Sequence, residues 1–170
     1  MDRELVVRQA RSEEEVLQFF DAFSGTFNVL KTARSRRDYA EKIYQKGICF
    51  LAYLDGKLMG GITGYANDPE TRCAYVTLLG VEKEARLLRG VVVRELCCAF
   101  LRYACDRGMR DLACEVRDGN PYAKNQYVQS GAVEEGRLSE SSSCMKWRIG
   151  DALRKLQGGL DRRCPEGENR

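Results

Sequence analysis

A tyrosine inside a short predicted helix is the best-placed acid–base residue of the sequence. Asn120 followed by Pro121 is a typical helix start, and Ala123, Tyr127 and Gly131 then recur at a spacing of four. A phenol has an ordinary pKa of about 10, so Tyr127 is protonated at neutral pH and can protonate a departing group. A tyrosine that only packs against its neighbours is the alternative interpretation. The sequence contains no histidine, which excludes Ser-His-Asp and Cys-His mechanisms.

A basic segment between a predicted strand and a predicted helix is suited to phosphate groups. The strand ends at Leu79, Gly80 and Val81, and the helix begins near Gly90. The first amides of a helix lack partners within it, and the helix dipole adds partial positive charge there. The basic residues around this junction are Lys83, Arg86, Arg89 and Arg94. A run of charge alone is usually a solvated surface, so it is the position before a helix that favours a binding role.

These features resemble the core of the GNAT N-acetyltransferase superfamily, whose members transfer an acetyl or other acyl group from coenzyme A to an amine. The most specific feature is the pattern N-x-x-A-x-x-x-Y-x-x-x-G, found here as Asn120, Ala123, Tyr127 and Gly131. The second is the strand that ends in Val81 before the basic segment. The resemblance extends over roughly residues 5–149, and its diagnostic motifs lie between residues 81 and 131.

The resemblance implies an α/β fold class with a GNAT-like central mixed sheet flanked by helices. Two adjacent parallel strands, Cys73–Val81 and residues 110–116, are expected to splay apart so that coenzyme A can enter between them. The dense alternation of helices and strands independently favours a mixed sheet.

The resemblance also implies acetyl transfer from acetyl-CoA, as co-substrate, to a primary amine, without a metal. It makes Tyr127 the general acid for the leaving thiolate. A main-chain amide between residues 79 and 81 is expected to polarise the thioester carbonyl, while the same strand packs in the core. Asn120 is explained equally well as a helix cap. The residues expected to bind the cofactor are Leu79, Gly80, Val81, Arg86, Arg89, Gly90, Val91 and Asn120.

One departure from the family pattern supports a second interpretation. The phosphate loop of the family reads R/Q-x-x-G-x-G/A, and neither the register that starts at Arg86 nor the one that starts at Arg89 keeps both small residues. Glycine is used there because the backbone must approach the pyrophosphate closely. The alternative function is therefore a non-catalytic CoA-binding or regulatory module with a degenerate pyrophosphate loop.

The sequence singles out no general base. The predicted strand Cys73–Val81 offers Tyr75 and Thr77 but no carboxylate, and Glu82 and Glu115 are near in sequence. A chain of water molecules is a further option. Two acidic residues in the loop before this strand could attract a cationic amine, although surface charge is the simpler interpretation: Asp68 and Glu70.

Composition predicts one globular domain over residues 1–150 and a partly disordered tail over residues 151–170. Of the 170 residues, 44% are hydrophobic and 31% charged, and the net charge is +3. That charge is too small to favour a nucleic acid partner, so the basic residues 34–37 support an RNA- or partner-binding function only weakly. No secretory segment or membrane span is predicted, and a cytoplasmic monomer or homodimer is expected. The eight cysteines, without a C-x-x-C pair, are expected to be reduced and mostly buried.

Caps, turns and periodicity predict the remaining elements. Ser12 and Glu15 fit a capping box before an apolar helical face, and Asp55-Gly56 fits a two-residue hairpin turn. A second helix is expected to bury Tyr39, Ala40, Ile43 and Tyr44. The predicted strands cover residues 5–9, 48–54, 57–65, 73–81, 110–116, 132–137 and 144–149, and the later helices residues 35–45, 90–107 and 120–129.

Overall fold

A computed structural model describes residues 4–27 and 29–158 of the chain. These residues form a mixed α/β fold, which confirms the predicted fold class. The sheet has the strand order β1-β2-β3-β4-β5-β7-β6, and its β4–β5 pair is parallel. The strands are β1 (Leu5–Gln9), β2 (Ile48–Leu54), β3 (Lys57–Tyr65), β4 (Cys73–Val81), β5 (Asp111–Arg117), β6 (Val133–Ser139) and β7 (Ser142–Arg148). The helices are α1 (Glu13–Ala22), α2 (Ala33–Lys46), α3 (Arg89–Asp106), α4 (Pro121–Gln129) and α5 (Ile149–Leu156), with a 3₁₀ helix at Lys83–Leu88.

The chain divides into two compact units, and unit 1 comprises Met1–Tyr65 and Leu78–Phe100. Here β1, β2 and β3 pair antiparallel, and α1 and α2 pack on each other and on the β2–β3 hairpin. Asp55 and Gly56 have φ values of 49° and 79°, which confirms the predicted two-residue turn. The core is aromatic, because α1 and the segment after it bury four phenylalanines: Phe19, Phe20, Phe23 and Phe27.

Two local predictions in unit 1 are wrong. Tyr44 is 48% exposed, and its hydroxyl donates to the carbonyl of Arg11 at 3.3 Å, so this ring does not join the core. Ser12 does accept from the Glu15 amide, but the Glu15 carboxylate does not complete the capping box. It accepts instead from the Arg11 amide at 2.8 Å and from both terminal nitrogens of Arg8 at 2.8 Å, because an arginine fork matches a carboxylate better than a single amide does.

A pair of glycines lets strand backbones approach closely in unit 1. A Cβ added at Gly60 would lie 2.5 Å from the carbonyl oxygen of Gly80, and one added at Gly80 would lie 2.7 Å from Cζ of Phe27. Just beyond, the Glu82 amide donates to the carbonyl of Met59 at 2.8 Å. The absence of side chains at Gly60 and Gly80 therefore allows the end of β4 to pack closely against β3 and the aromatic core.

Unit 2 comprises Ala66–Thr77 and Leu101–Arg170, and is described to residue 158. The parallel β4–β5 ladder covers four residue pairs, from Cys73–Asp111 to Val76–Cys114, and β5 continues to Arg117. Alternation along β5 and β7 gives two chemically different faces. One face is apolar and carries Leu112, Cys114, Val116, Met145 and Trp147. The other is polar and carries Cys73, Tyr75, Asp111, Glu115, Cys144, Lys146 and Arg148.

The helix ends of unit 2 follow their predicted caps. The Asn120 side chain accepts from the Ala123 amide at 3.1 Å, and Gly108 ends α3 with φ of 78°. Helix α5 continues the folded structure beyond residue 150, and it buries Ala152 and Leu153. The rest of the predicted tail, from residue 159, lies outside the described residues.

Six of the seven described cysteines have free thiols, as expected: Cys49, Cys98 and Cys114 are buried, and Cys73, Cys97 and Cys144 are half-buried. Burial raises the pKa of the Cys97 thiol to about 12, so this thiol stays protonated and behaves as a small hydrophobe. Cys105 is disulfide-bonded, and the expectation of a reduced thiol is wrong at that position.

Candidate active site

The junction between β4 and α3 in unit 1 is more regular than its sequence predicted. A basic loop was expected to lead to a helix start at Gly90, whereas a 3₁₀ helix fills Lys83–Leu88 and runs directly into α3 at Arg89. In a 3₁₀ helix each amide bonds the carbonyl three residues back, as the Ala85 amide bonds Glu82 here at 3.2 Å. The cause lies in the sequence, because this segment contains no glycine or proline and favours helical backbone. The 3₁₀ helix therefore occupies, in its own hydrogen bonds, amides that an open loop would leave available to a ligand.

Gly90 leaves the backbone open at this junction. It is exposed, and a Cβ added there would meet no atom within 4 Å, so the fold itself does not require glycine at this position. Two apolar side chains nearby are also exposed, Leu87 by 97% and Val91 by 37%. An open glycine at the start of an 18-residue helix allows a charged group to reach the backbone.

The basic side chains of the junction differ in availability. Lys83 and Arg89 are exposed, whereas Arg94 pairs with Glu95 at 2.9 Å. Arg86 lies within the 3₁₀ helix. At the end of β4, Gly80 and Val81 are buried and Leu79 is half-buried, so any role of these three residues toward a ligand belongs to their main chain.

Tyr127, in unit 2, is held from two sides. Its ring meets that of Trp147 edge to face, with 5.2 Å between the ring centroids. The Ser130 hydroxyl donates to the main-chain carbonyl of Tyr127 at 2.7 Å and accepts from the Trp147 indole nitrogen at 3.0 Å. The tyrosine is half-buried, so its ring is fixed by packing while part of its surface reaches solvent.

Gly131 of the helix motif has a structural role at the end of α4. Its φ of 98° lies in the left-handed region, and a Cβ there would lie 2.8 Å from Nζ of Lys155. The next amide, that of Ala132, donates to the carbonyl of Tyr127 at 2.9 Å. Three of the four motif positions therefore shape and end the helix, since Asn120 caps it, the Ala123 amide donates to that cap and Gly131 turns the chain.

Two of the candidates for a general base, Tyr75 and Glu115, lie on the polar face of unit 2, whereas Glu82 directly follows β4 in unit 1. In the strand register Trp147 lies opposite Leu112, and Tyr75 lies opposite Ala113. Because Leu112 and Ala113 are consecutive in β5, they point to opposite faces of the sheet. Tyr127, which contacts Trp147, therefore lies on the other face from Tyr75. Burial raises the pKa of Tyr75 to about 12, with a smaller contribution from the negative charge of Glu115. A phenol with that pKa is a poor base, which leaves the exposed Glu115 as the stronger candidate on this face.

The acidic loop before β4 has a structural use. The Asp68 carboxylate accepts from the hydroxyl of Thr71 at 2.7 Å and from the amides of Glu70 at 3.0 Å and Thr71 at 3.2 Å. These hydrogen bonds, that from the Thr71 hydroxyl first, hold the pKa of Asp68 below its usual value. Asp68 therefore stabilises its own turn, in agreement with the simpler interpretation of this charge.

The basic residues 34–37 are mostly paired. Arg36 donates to the carboxylate of Asp21 and to the carbonyl of Leu30, and Arg34 lies 3.9 Å from Asp38. An arginine that ties α2 to α1 is not free to bind phosphate, so this cluster gives no support to an RNA-binding function.

Within residues 4–27 and 29–158, no three or more Cys, Asp or Glu side chains are grouped so that they could hold a metal ion. None of the helices in the described part of the chain is both long and apolar enough to span a bilayer.

Sequence reasoning missed Trp147 and Ser130, the two residues that hold Tyr127. Ser130 stands at a position that the helix motif leaves variable. Trp147 lies outside the motif, twenty residues beyond the tyrosine it contacts. The only available signals were that Trp147 is the single tryptophan of the chain and that Ser130 precedes the motif glycine.

Comparison with known proteins identifies the same family as the helix motif. The model of the Acetyltransferase (GNAT) family matches residues 16–132, which is over half of the chain. No curated protein sequence matches the chain significantly.

Solved structures with low sequence identity share the fold. A candidate acetyltransferase of the GNAT family from Desulfovibrio desulfuricans superimposes with a TM-score of 0.72 at 12% identity, over 86% of this chain and 99% of that chain. Ard1 from Thermoplasma volcanium gives a TM-score of 0.66 at 19% identity, over 85% and 97% of the two chains. A dodecameric spermidine N-acetyltransferase from Vibrio cholerae gives 0.68 at 18% identity, over 89% and 97%.

Proposed function

Since the chain belongs to the Acetyltransferase (GNAT) family, we propose that it transfers an acetyl group from acetyl-CoA to a primary amine. The observation that carries this proposal is the arrangement of α4. Asn120 and Gly131 fix the two ends of the helix, while Trp147 and Ser130 fix Tyr127 between them. A phenol that is held in place and partly open to solvent is suited to protonate one defined leaving group.

In the proposed reaction, the neutral amine nitrogen forms a bond to the thioester carbonyl carbon, and the carbon–sulfur bond then breaks. Tyr127 gives its phenolic proton to the departing thiolate of coenzyme A. The proton lost by the amine passes to water or to a carboxylate, for which Glu115 is the candidate. A main-chain amide between residues 79 and 81 would stabilise the oxyanion, a contribution that is often about 3 kcal/mol.

Cofactor contacts are proposed for each unit by itself. In unit 1 they are the main chain of Leu79, Gly80 and Val81 and the junction residues Arg86, Arg89, Gly90 and Val91. In unit 2 the proposed contact is Asn120. The exposed Gly90 and Arg89 support phosphate binding, because they combine an accessible backbone with positive charge.

The 3₁₀ helix favours the second candidate function, a non-catalytic module that binds CoA or has a regulatory role. Its hydrogen bonds compete with a pyrophosphate for the same amides, so tight binding would require Lys83–Leu88 to rearrange. Such a rearrangement lowers the affinity for acetyl-CoA by the free energy that it costs.

Two measurements separate these functions. A thermal shift with acetyl-CoA tests binding, because a ligand that binds only the folded state raises the melting temperature. Mass spectrometry of the acetylated product over a panel of primary amines, including spermidine and peptide amines, tests transfer. Product detection is preferable to a thiol-reactive dye, because free cysteines that are partly open to solvent, such as Cys73 and Cys144, would react as well. A thermal shift without an acetylated product supports the non-catalytic module. If the protein shows no thermal shift and forms no product, both functions are rejected.

We also propose that the chain acts as one functional domain over residues 1–150, as a monomer or a homodimer in the cytoplasm. The edge strand β6 is exposed at all seven positions, so it is available for pairing with a second copy. The V. cholerae spermidine N-acetyltransferase of related fold is dodecameric. Light scattering of the purified protein would decide between these states.

A further inference from the structure

A cavity of about 260 Å³ lies within unit 2, at the end of α4 and the start of α5. Neither the helix motif nor the proposed reaction uses it. Trp147 forms part of its wall, and Ser130 and Gly131 form another part. The remaining lining residues are contributed by the end of β7 and by α5: Arg148, Asp151, Ala152, Arg154 and Lys155.

The charged lining of the cavity is mainly positive. Arg154 pairs with Asp151, and Arg148 lies 3.3 Å from the carboxylate of Asp111. The lining therefore contains three cationic residues and one carboxylate, that of Asp151. Within the described part of the chain Lys155 has no ion pair, so its charge is the one left without compensation.

The local backbone adds to this positive potential. The N-cap residue of α5 is Arg148, whose side chain makes no capping hydrogen bond, and the Ile149 amide donates to the carbonyl of Arg110 at 2.9 Å, so only the amides after Ile149 can contribute. On the other wall, Gly131 lacks the side chain that would collide with Nζ of Lys155, at a Cβ distance of 2.8 Å. The lysine ammonium can therefore lie against the end of α4 and still face the cavity.

From these features we propose that the cavity binds a small oxyanion, a phosphate group alone or on a small molecule. Such an anion would compensate Lys155 and accept from the guanidinium group of Arg154. Trp147 lines the cavity and also contacts Tyr127, so the anion would lie one side chain away from the general acid of the proposed function.

The simpler interpretation is that Lys155 only stabilises the C-terminal end of α4. A cation near the last carbonyls of a helix is favourable without any ligand. That role predicts a loss of stability in a Lys155 variant, but it predicts no dependence on phosphate.

The single tryptophan of the chain provides the test, because Trp147 lies in the wall of the cavity. The wild-type protein, without acetyl-CoA, is titrated with inorganic phosphate against chloride at constant ionic strength, and Trp147 emission is followed. We expect a saturable change specific to phosphate. Lys155→Gln should weaken it roughly tenfold, and Lys155→Arg should largely retain it. Lys57→Gln, which removes an equally exposed lysine from unit 1, should leave it unchanged.

Three results would overturn the proposal. The wild type gives no saturable response, or the response is the same in Lys155→Gln and in the wild type. Alternatively, a saturating concentration of acetyl-CoA abolishes the response, which would make the cavity part of the cofactor site. If Lys155→Gln does not fold, Arg154→Gln replaces it and must weaken the response in the same way.

Discussion

Substitution by alanine is expected to have opposite effects on stability at two glycines of unit 1. Gly60→Ala places a methyl group 2.5 Å from the carbonyl oxygen of Gly80 and 3.1 Å from Cα of Val81. Neither contact can be relieved by a side-chain rotation, because both partners are backbone atoms. Gly90→Ala places the same methyl group where no atom lies within 4 Å.

The geometry allows the magnitudes to be worked out. At Gly60 the strands β3 and β4 must separate by about 1 Å, and overpacking of this kind costs roughly 1–3 kcal/mol. The smaller entropy of the unfolded alanine chain offsets about 0.5–1 kcal/mol of that cost. The net loss of about 1 kcal/mol should lower the melting temperature by roughly 2–4 °C for a chain of this size. At Gly90 the entropic gain stands alone, so the melting temperature should stay the same or rise slightly.

Thermal unfolding of the two variants beside the wild type measures this difference, and acetyl-CoA adds a functional readout. Gly90→Ala should reduce the shift caused by acetyl-CoA, because its methyl group would occupy the path of the pyrophosphate. Gly60→Ala should keep most of that shift, since the junction itself is unchanged. A Gly60→Ala protein as stable as the wild type would refute the close approach of β3 and β4 on which this reasoning depends.

The remaining predictions concern one ion pair and one helix cap. Hydrogen bonds from Arg8, and then from a backbone amide, lower the pKa of Glu15 to about 2, so the stabilisation is complete above pH 5 and is lost as the pH falls toward 2. In urea titrations at pH 7, Glu15→Gln should therefore lower the free energy of unfolding by about 1–2 kcal/mol. Near pH 3 the loss should be much smaller. An equal loss at both pH values would contradict the ion pair. Asn120→Ala should cost about 1 kcal/mol of stability and Asn120→Ser much less. If Asn120 also orients the cofactor, the serine variant should still bind acetyl-CoA more weakly, and unchanged binding would leave only the cap.

Features fixed by neighbouring residues could be predicted from the sequence. The hairpin turn at Asp55-Gly56 requires positive φ at both positions, and it was found there. The cap at Asn120 and the helix end at Gly131 depend only on residues within a few positions along the chain, and both were located correctly. The general location of the candidate acid, Tyr127, followed from the same short pattern.

Features that depend on distant partners could not be predicted. Tyr44 has helical spacing suited to the core, yet its ring extends to the carbonyl of Arg11, which only the packing of α1 beside α2 brings near. The edge-to-face contact of Tyr127 with Trp147 has no periodic signal either. At the β4–α3 junction the absence of glycine from residues 83–88 already favoured helical backbone. The open loop was predicted there because the family pattern has one.

The most direct test of the central claim compares Tyr127→Phe with Tyr122→Phe, which removes the hydroxyl of a 75% exposed tyrosine on the same helix. Both variants should keep the melting temperature of the wild type and its shift with acetyl-CoA. Mass spectrometry of the acetylated amine should then show turnover reduced roughly a hundredfold in Tyr127→Phe and unchanged in Tyr122→Phe. Full turnover in a folded Tyr127→Phe protein would contradict the assignment of this phenol as the general acid.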